Sequence, residues 1–414
     1  MSAPRRFPVA ARAAVPVAGL VLTLSACHGL LGADPPTLRR RALDAGLAPM
    51  PTQPVRPAED PLLPERVSLG RLLFFDRILS GQKDVACSTC HLPRFAFTDA
   101  RQFPVGAGAT GLGPARTEPA PPPLRVMPRN APSVMNVGLY GRKSREPSVN
   151  GTMFWGGDAF GIEDQVLAPM AADNEMRGLA YPRAEALDSV LARLRAIPGY
   201  VARFAAAYPD VARLYGGDAA RLISPNTLRR AIAAYLRELI TPDAPIDRFL
   251  AGREQALDDA QKRGLDLFIG KAGCVACHDG PLLSDFSMHV LGTPQEGLGR
   301  DTTPGEDLGW GEHGGTPYAF RTPPLRQVAR TAPYFHAGTA ATLEDVLAFK
   351  NRGVSARDVV PNTALDTLVR PLGLSAPELA DLRAFLDVLT DSITSLDPLF
   401  QPPDSVPSGL EVVK

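Results

Sequence analysis

Two strings decide how this chain is read: Cys87-Ser88-Thr89-Cys90-His91 and Cys274-Val275-Ala276-Cys277-His278. Each offers two thiols one helical turn apart, able to bond the vinyl groups along one edge of a porphyrin. The imidazole that follows can then swing beneath the iron. At this cysteine and histidine content one such string arises by chance in roughly one chain in a thousand, so two are not accidental. Cys₄ zinc binding or a pair of thioredoxin-like redox motifs use the same cysteine spacing. The histidine directly after both pairs favours two covalently bound haem c groups, with His91 and His278 as proximal iron ligands.

The rest of the composition narrows the class. The 414 residues are 45% hydrophobic, enough for two or three domains with their own cores. Forty-four basic side chains balance 44 acidic ones, so no basic footprint exists for nucleic acid. Of five cysteines, four sit in the two strings and the fifth is Cys27. Arg5, Arg6 and Arg12 precede an apolar run from Val15 to Leu24, the order of a secretory signal peptide. Leu24-Ser25-Ala26-Cys27 resembles a bacterial lipobox, in which the cysteine is acylated; an ordinary signal with a chance cysteine is the alternative. The Arg5-Arg6 pair is only a faint sign of twin-arginine export. The expectation is a periplasmic body, anchored to a bacterial membrane by lipid on Cys27, since no later run reaches the ~18 apolar residues of a spanning helix.

Periodicity predicts a mainly α protein with two cytochrome c-like haem domains side by side and long loops. The expected organisation is a signal peptide over 1–26, a Pro- and Arg-rich tether over 27–64, an N-terminal haem domain over 65–245, a C-terminal one over 246–400, and a tail over 401–414. Helical spacing of three and four marks Val67–Phe75, Ala184–Ile197, Tyr200–Tyr208, Thr227–Ile240 and Leu257–Phe268. Thr342 with Asp345 and Ser375 with Glu378 have capping-box spacing before further amphipathic runs. The loop after the first string is Gly-rich over 105–114 and Pro-rich over 119–128.

From Leu69 to Val354 the chain resembles the bacterial di-haem cytochrome c peroxidase superfamily, including its MauG-type members that oxidise protein side chains. The phrases are Leu-Gly-Arg-Leu-Leu-Phe-Phe-Asp at 69–76, Arg129-Asn130-Ala131-Pro132-Ser133, Trp155, Gln165 to Met176, Phe320-Arg321-Thr322-Pro323-Pro324-Leu325-Arg326 and Pro333-Tyr334-Phe335-His336. The resemblance implies that the His91 haem is the peroxidatic one. Glu175 matches the distal acid/base, which moves a proton between the peroxide oxygens. Gln165 matches the distal amide and Trp155 the indole between the haems. Asn130, with backbone carbonyls near Thr302 and Pro304, matches an interdomain calcium site.

This chain also departs from the pattern. Gly156-Gly157-Asp158 stands where the family shows Asp-Gly-Arg, which puts a local salt bridge or propionate contact in doubt. Ala319 occupies the place expected for a distal methionine, and adjacent Tyr318 is the candidate ligand of the second iron, as in MauG-type enzymes. His289, His313 and His336 read as structural or surface residues. No histidine lies between Leu92 and Cys277 to cap the first haem; Met127 is the one rival cap. The leading expectation is a peroxidase that reduces hydrogen peroxide with electrons from a small cytochrome c or cupredoxin. A MauG-type enzyme acting on a partner protein is the first alternative, although no tryptophan lies close before Cys274. A di-haem electron carrier is the second, and Gln165 and Glu175 argue against it.

Overall fold

The computed structural model describes residues 37–57, 63–117, 126–141, 147–296, 306–353, 365–392 and 397–414. Cys27, Thr302 and Pro304 lie outside them. Helices dominate. Among the described residues strand is confined to two short antiparallel ribbons, Thr152–Met153 with Ala159–Phe160 and Met288–His289 with Phe320–Arg321.

The same packing device is used twice. In the first half, the helix Pro64–Phe75 crosses Pro225–Glu238, a helix capped by Ser224. The crossing is close because Gly70 lies against Ala231; a Cβ at 70 would stand 1.9 Å from the Ala231 carbonyl oxygen. In the second half, Asp259–Ile269 crosses Ala376–Asp387, and a Cβ on Gly264 would fall 2.0 Å from the Asp381 oxygen. Phe268 and Phe385 pack there with ring centroids 5.0 Å apart. Each crossing precedes or encloses one cysteine string. Each anchors its own hydrophobic core, the first built chiefly from residues 50–239 and the second mostly from residues 244–389.

The expected helices are present as Ala186–Arg195, Pro198–Ala207, Pro225–Glu238 and Asp259–Ile269. Thr342 caps Leu343–Arg352: Asp345 N donates to its hydroxyl at 3.1 Å, and the Asp345 carboxylate accepts from Thr342 N at 2.9 Å. At the other box the Glu378 carboxylate accepts from Ser375 N at 2.8 Å.

Two segments differ from expectation. The stretch read as a tether folds from Thr37 onward. Leu38–Asp44 is a helix capped by Thr37, with Ala42 buried and Leu38 and Leu43 against the second core. Leu47 bridges Gly280, and Met50 N donates to Asp247 at 2.8 Å. Three consecutive arginines, 39 to 41, hide this short apolar stripe. The stretch read as a tail returns to the first half instead. Val406 and Val412 enter the first core, and Ser408 donates to Asp76 at 2.7 Å. Two valines and a serine carry no periodicity, so only the acceptor and the core they meet define their place.

Candidate haem sites and the seam between them

At the first string, Cys87–Cys90 forms a single helical turn, and the Thr89 hydroxyl accepts from Ala86 N at 3.0 Å. His91 closes the turn, and its ring Nδ1 donates to the Phe97 carbonyl at 3.1 Å. At the second, Cys274–Ala276 is a 3₁₀ turn entered through Gly273, and His278 Nδ1 donates to the Leu283 carbonyl at 2.8 Å. A carbonyl can only accept, so both rings carry their proton on Nδ1. Nε2 is then the nitrogen available to a metal, the usual arrangement of a ligating histidine. Burial lowers the His91 imidazole and takes His278 down to about 4, so both stay neutral and able to ligate.

The thiols discriminate between the readings of the strings. Burial pushes Cys87 up to about 12 and Cys274 up to about 11, and moves Cys90 the same way. Thiols of redox motifs are drawn down instead. Cys87 packs on the first core and Cys274 on the second, so the pairs do not converge on one zinc ion. A cavity of about 310 Å³ opens beside the second string, running from Cys274, Cys277 and His278 to Asn130 and Trp155. Apolar surroundings, neutral imidazoles and this space fit c-type haem.

Glu175 is brought to the first string. After burial, its carboxylate is a further cause of the upward shift at both Cys87 and Cys90. The backbone holds it there: the chain turns back so that Met176 N donates to Pro169 O at 3.2 Å, and Ala107 N donates to Glu175 O at 2.7 Å. Gly106 lies so close that a Cβ would sit 2.4 Å from the Glu175 oxygen and 2.0 Å from that of Asn174. Gly106→Ala is therefore expected to displace this segment, costing about 1–3 kcal/mol in thermal unfolding and losing turnover beyond what stability explains. Gln165 ends the helix Ile162–Gln165 and is half-buried.

Trp155 sits where the halves meet. Its Nε1 donates to the Asn130 carbonyl at 2.9 Å, its own carbonyl accepts from Arg321 N at 2.8 Å, and Asn130 N donates to His336 O at 2.7 Å. The Asn130 amide nitrogen donates to Arg101 O at 2.7 Å. Arg129 makes a bidentate pair with Asp307 at 2.7 and 2.6 Å and also reaches Glu312 at 2.8 Å. Asp158, in the segment that departs from the family pattern, pairs with the same guanidinium at 3.2 Å. The local salt bridge that seemed in doubt thus exists, with Asp158 supplying the charge.

Tyr318 is not brought to the second haem site. Its hydroxyl donates to Glu306, and its ring joins a satellite cluster with Met288 and Trp310, off the wall of the cavity. His289 is held between Asp285 at 3.1 Å and Asp366 at 2.6 Å, and hydrogen bonds to Asp285, Cys277 and Asp366 raise it to about 11. His336 stacks on Phe320 at 3.8 Å, and half-exposed His313 lies 3.5 Å from Asp158. Sequence reading missed Arg116, which is buried near Cys90 and donates to the carbonyls of Val105 and Gly106 at 2.6 and 2.7 Å. It also missed Lys350 on the cavity wall. Arg116 belongs to no motif; Lys350 was legible only as a lysine on the apolar stripe of its helix.

The family model described as di-haem cytochrome c peroxidase matches residues 64–255. The cytochrome-c peroxidase IdrP1 of Pseudomonas sp. (strain SCT) is 32% identical over 91% of each chain. The methylamine utilization protein MauG of Methylorubrum extorquens is 34% identical over 80% of each chain. Among solved structures, a MauG-like protein associated with microbial copper homeostasis superposes with a TM-score of 0.69 at 30% identity, covering 86% of this chain and 98% of that one. Likeness at this identity and coverage, on a fold whose two cysteine strings are each readied for a haem, makes this chain an oxidoreductase of the di-haem cytochrome c peroxidase and MauG family, with two c-type haems.

Proposed function

We propose that the enzyme reduces hydrogen peroxide in the periplasm at the haem held by Cys87, Cys90 and His91. Electrons would come through the haem on His278 from a small cytochrome c or cupredoxin. The observation that carries this reading is the Glu175 carboxylate, held by its backbone beside the first cysteine pair. Haem iron supplies the open coordination position for peroxide and the store of electrons. Glu175 takes the proton of the nearer peroxide oxygen and returns it to the departing one, so that two electrons and two solvent protons yield two waters. The Gln165 amide orients the bound oxygen. Trp155, hydrogen-bonded to both halves of the chain, lies on the electron path between them.

The two cores support haem domains over 65–245 and 246–400. A calcium ion at Asn130, Thr302 and Pro304, and a lipid anchor on Cys27, complete the reading. Among the described residues no helix is long and apolar enough to cross a membrane. Steady-state peroxide consumption with reduced cytochrome c tests the proposal. Failure with several cytochromes and cupredoxins would sink it and favour oxidation of a partner protein's side chains. The 34% identity to a MauG protein is the observation behind that second reading.

The oxidised enzyme is also expected to react with peroxide without prior reduction. The long loop after His91 contains no histidine to cap the first iron. Electron paramagnetic resonance of the ferric protein should show one high-spin haem. Two low-spin signals, with reactivity only after one-electron reduction, would point to Met127 as a thioether cap.

A further inference from the structure

The helix Leu343–Arg352 lines the cavity beside the second cysteine string with Leu343, Val346, Leu347, Phe349 and Lys350. Steps of three and four put Leu343, Val346, Leu347 and Lys350 on one face with Phe349 at its edge, so four apolar side chains and one amine line the cavity. A lysine on a core-facing stripe is rarely left without a carboxylate, yet among the described residues none pairs with Lys350. Lys350 lines the same cavity as Cys274, Cys277 and His278, and its charge is felt at His278 and at both thiols of the string.

Two other polar groups on the cavity wall are engaged. His289 uses both ring nitrogens on Asp285 and Asp366. The Tyr334 hydroxyl donates to Val328 O at 2.9 Å. His336 also lines the cavity: its Nδ1 meets the Thr293 hydroxyl at 3.3 Å, while its buried Nε2 has no hydrogen-bond partner among the described residues, which makes it the rival the test must separate.

We propose that Lys350 Nζ is the second axial ligand of the iron bound by His278. The ammonium loses one proton to solvent, and its nitrogen lone pair forms the bond to iron. Nitrogen ligation on both faces, in place of a thioether, lowers the reduction potential of this haem and closes it to peroxide, confining substrate to the first site. The inference rests on the haem at the second string and not on peroxide turnover.

The test uses the intact di-haem protein, with haem attachment checked by mass. In ferric protein grown on ¹⁵N-lysine, electron–nuclear resonance on the low-spin centre should show a lysine nitrogen coupled to iron. Lys350→Arg, which keeps the charge but cannot ligate, should lose that low-spin signal. Lys350→Met should restore a low-spin haem with sulfur-to-iron absorption in the far red and a higher potential. An unlabelled low-spin centre that survives Lys350→Arg would overturn the ligand assignment and leave Lys350 as a propionate partner. Loss of the signal in His336→Ala instead would move the assignment to His336.

Discussion

Glu175→Gln is expected to keep both haems and their resting spectra while peroxide turnover falls by about 10²- to 10⁴-fold, the usual contribution of a positioned acid/base. The substitution is nearly isosteric, and the main chain that carries the side chain is held by bonds an amide leaves intact: Ala107 N to Glu175 O and Gly81 N to Met176 O. Gln cannot accept and release a proton, so the loss should fall on the step after peroxide binds. Stopped-flow mixing with peroxide and steady-state turnover check this together. Near-normal turnover would show that the proton travels by another route, and the reading of the first site would fail with it.

Asp247→Ala is expected to be the most damaging single change to the second half. Arg326 is 1% exposed at its side chain and makes a bidentate pair with Asp247 at 2.9 and 2.8 Å. The same carboxylate accepts from Met50 N at 2.8 Å and Ala244 N at 3.0 Å. Removing one partner of a buried pair leaves the other charge without compensation, at a cost of about 3–5 kcal/mol. Arg326 also donates to Pro281 O at 2.8 Å, so the disturbance reaches the loop that follows His278. Burial pushes the Asp247 carboxyl up and the Arg326 guanidinium down even though each favours the other's charge. Desolvation thus outweighs attraction, and the double change Asp247→Leu with Arg326→Met should cost much less than Asp247→Ala. Denaturant unfolding of the three proteins measures the difference; equal losses would assign the effect to packing alone.

These two cases show why legibility was uneven. Glu175 could be assigned because it stands at a fixed distance from Gln165 in a long family phrase. Arg326 lies inside such a phrase, yet its partner Asp247 is 79 residues away and belongs to no motif. A salt bridge of this kind has no signal in either local segment. Tyr318 lies off the cavity for a related reason: adjacency to a phrase says which residues are near along the chain, not which way they face. At a left-handed position with φ of 62°, its ring turns toward Met288 and Trp310 and its hydroxyl toward Glu306.

By itself the sequence determined the covalent chemistry and the helical class. Cysteines and histidine at fixed spacing act within one turn, and apolar steps of three and four act within one helix, so both are local properties. Only the tertiary structure decided what lies across from those groups. It brought Arg129 and Asp158 to Asp307 and Glu312, returned the C-terminal valines to the first core, and set Lys350 on the wall facing the second haem site. These placements depend on how helices cross at Gly70 and Gly264. Crossing geometry is fixed by surfaces distant in sequence that exclude water together, and no single stretch of chain contains that information.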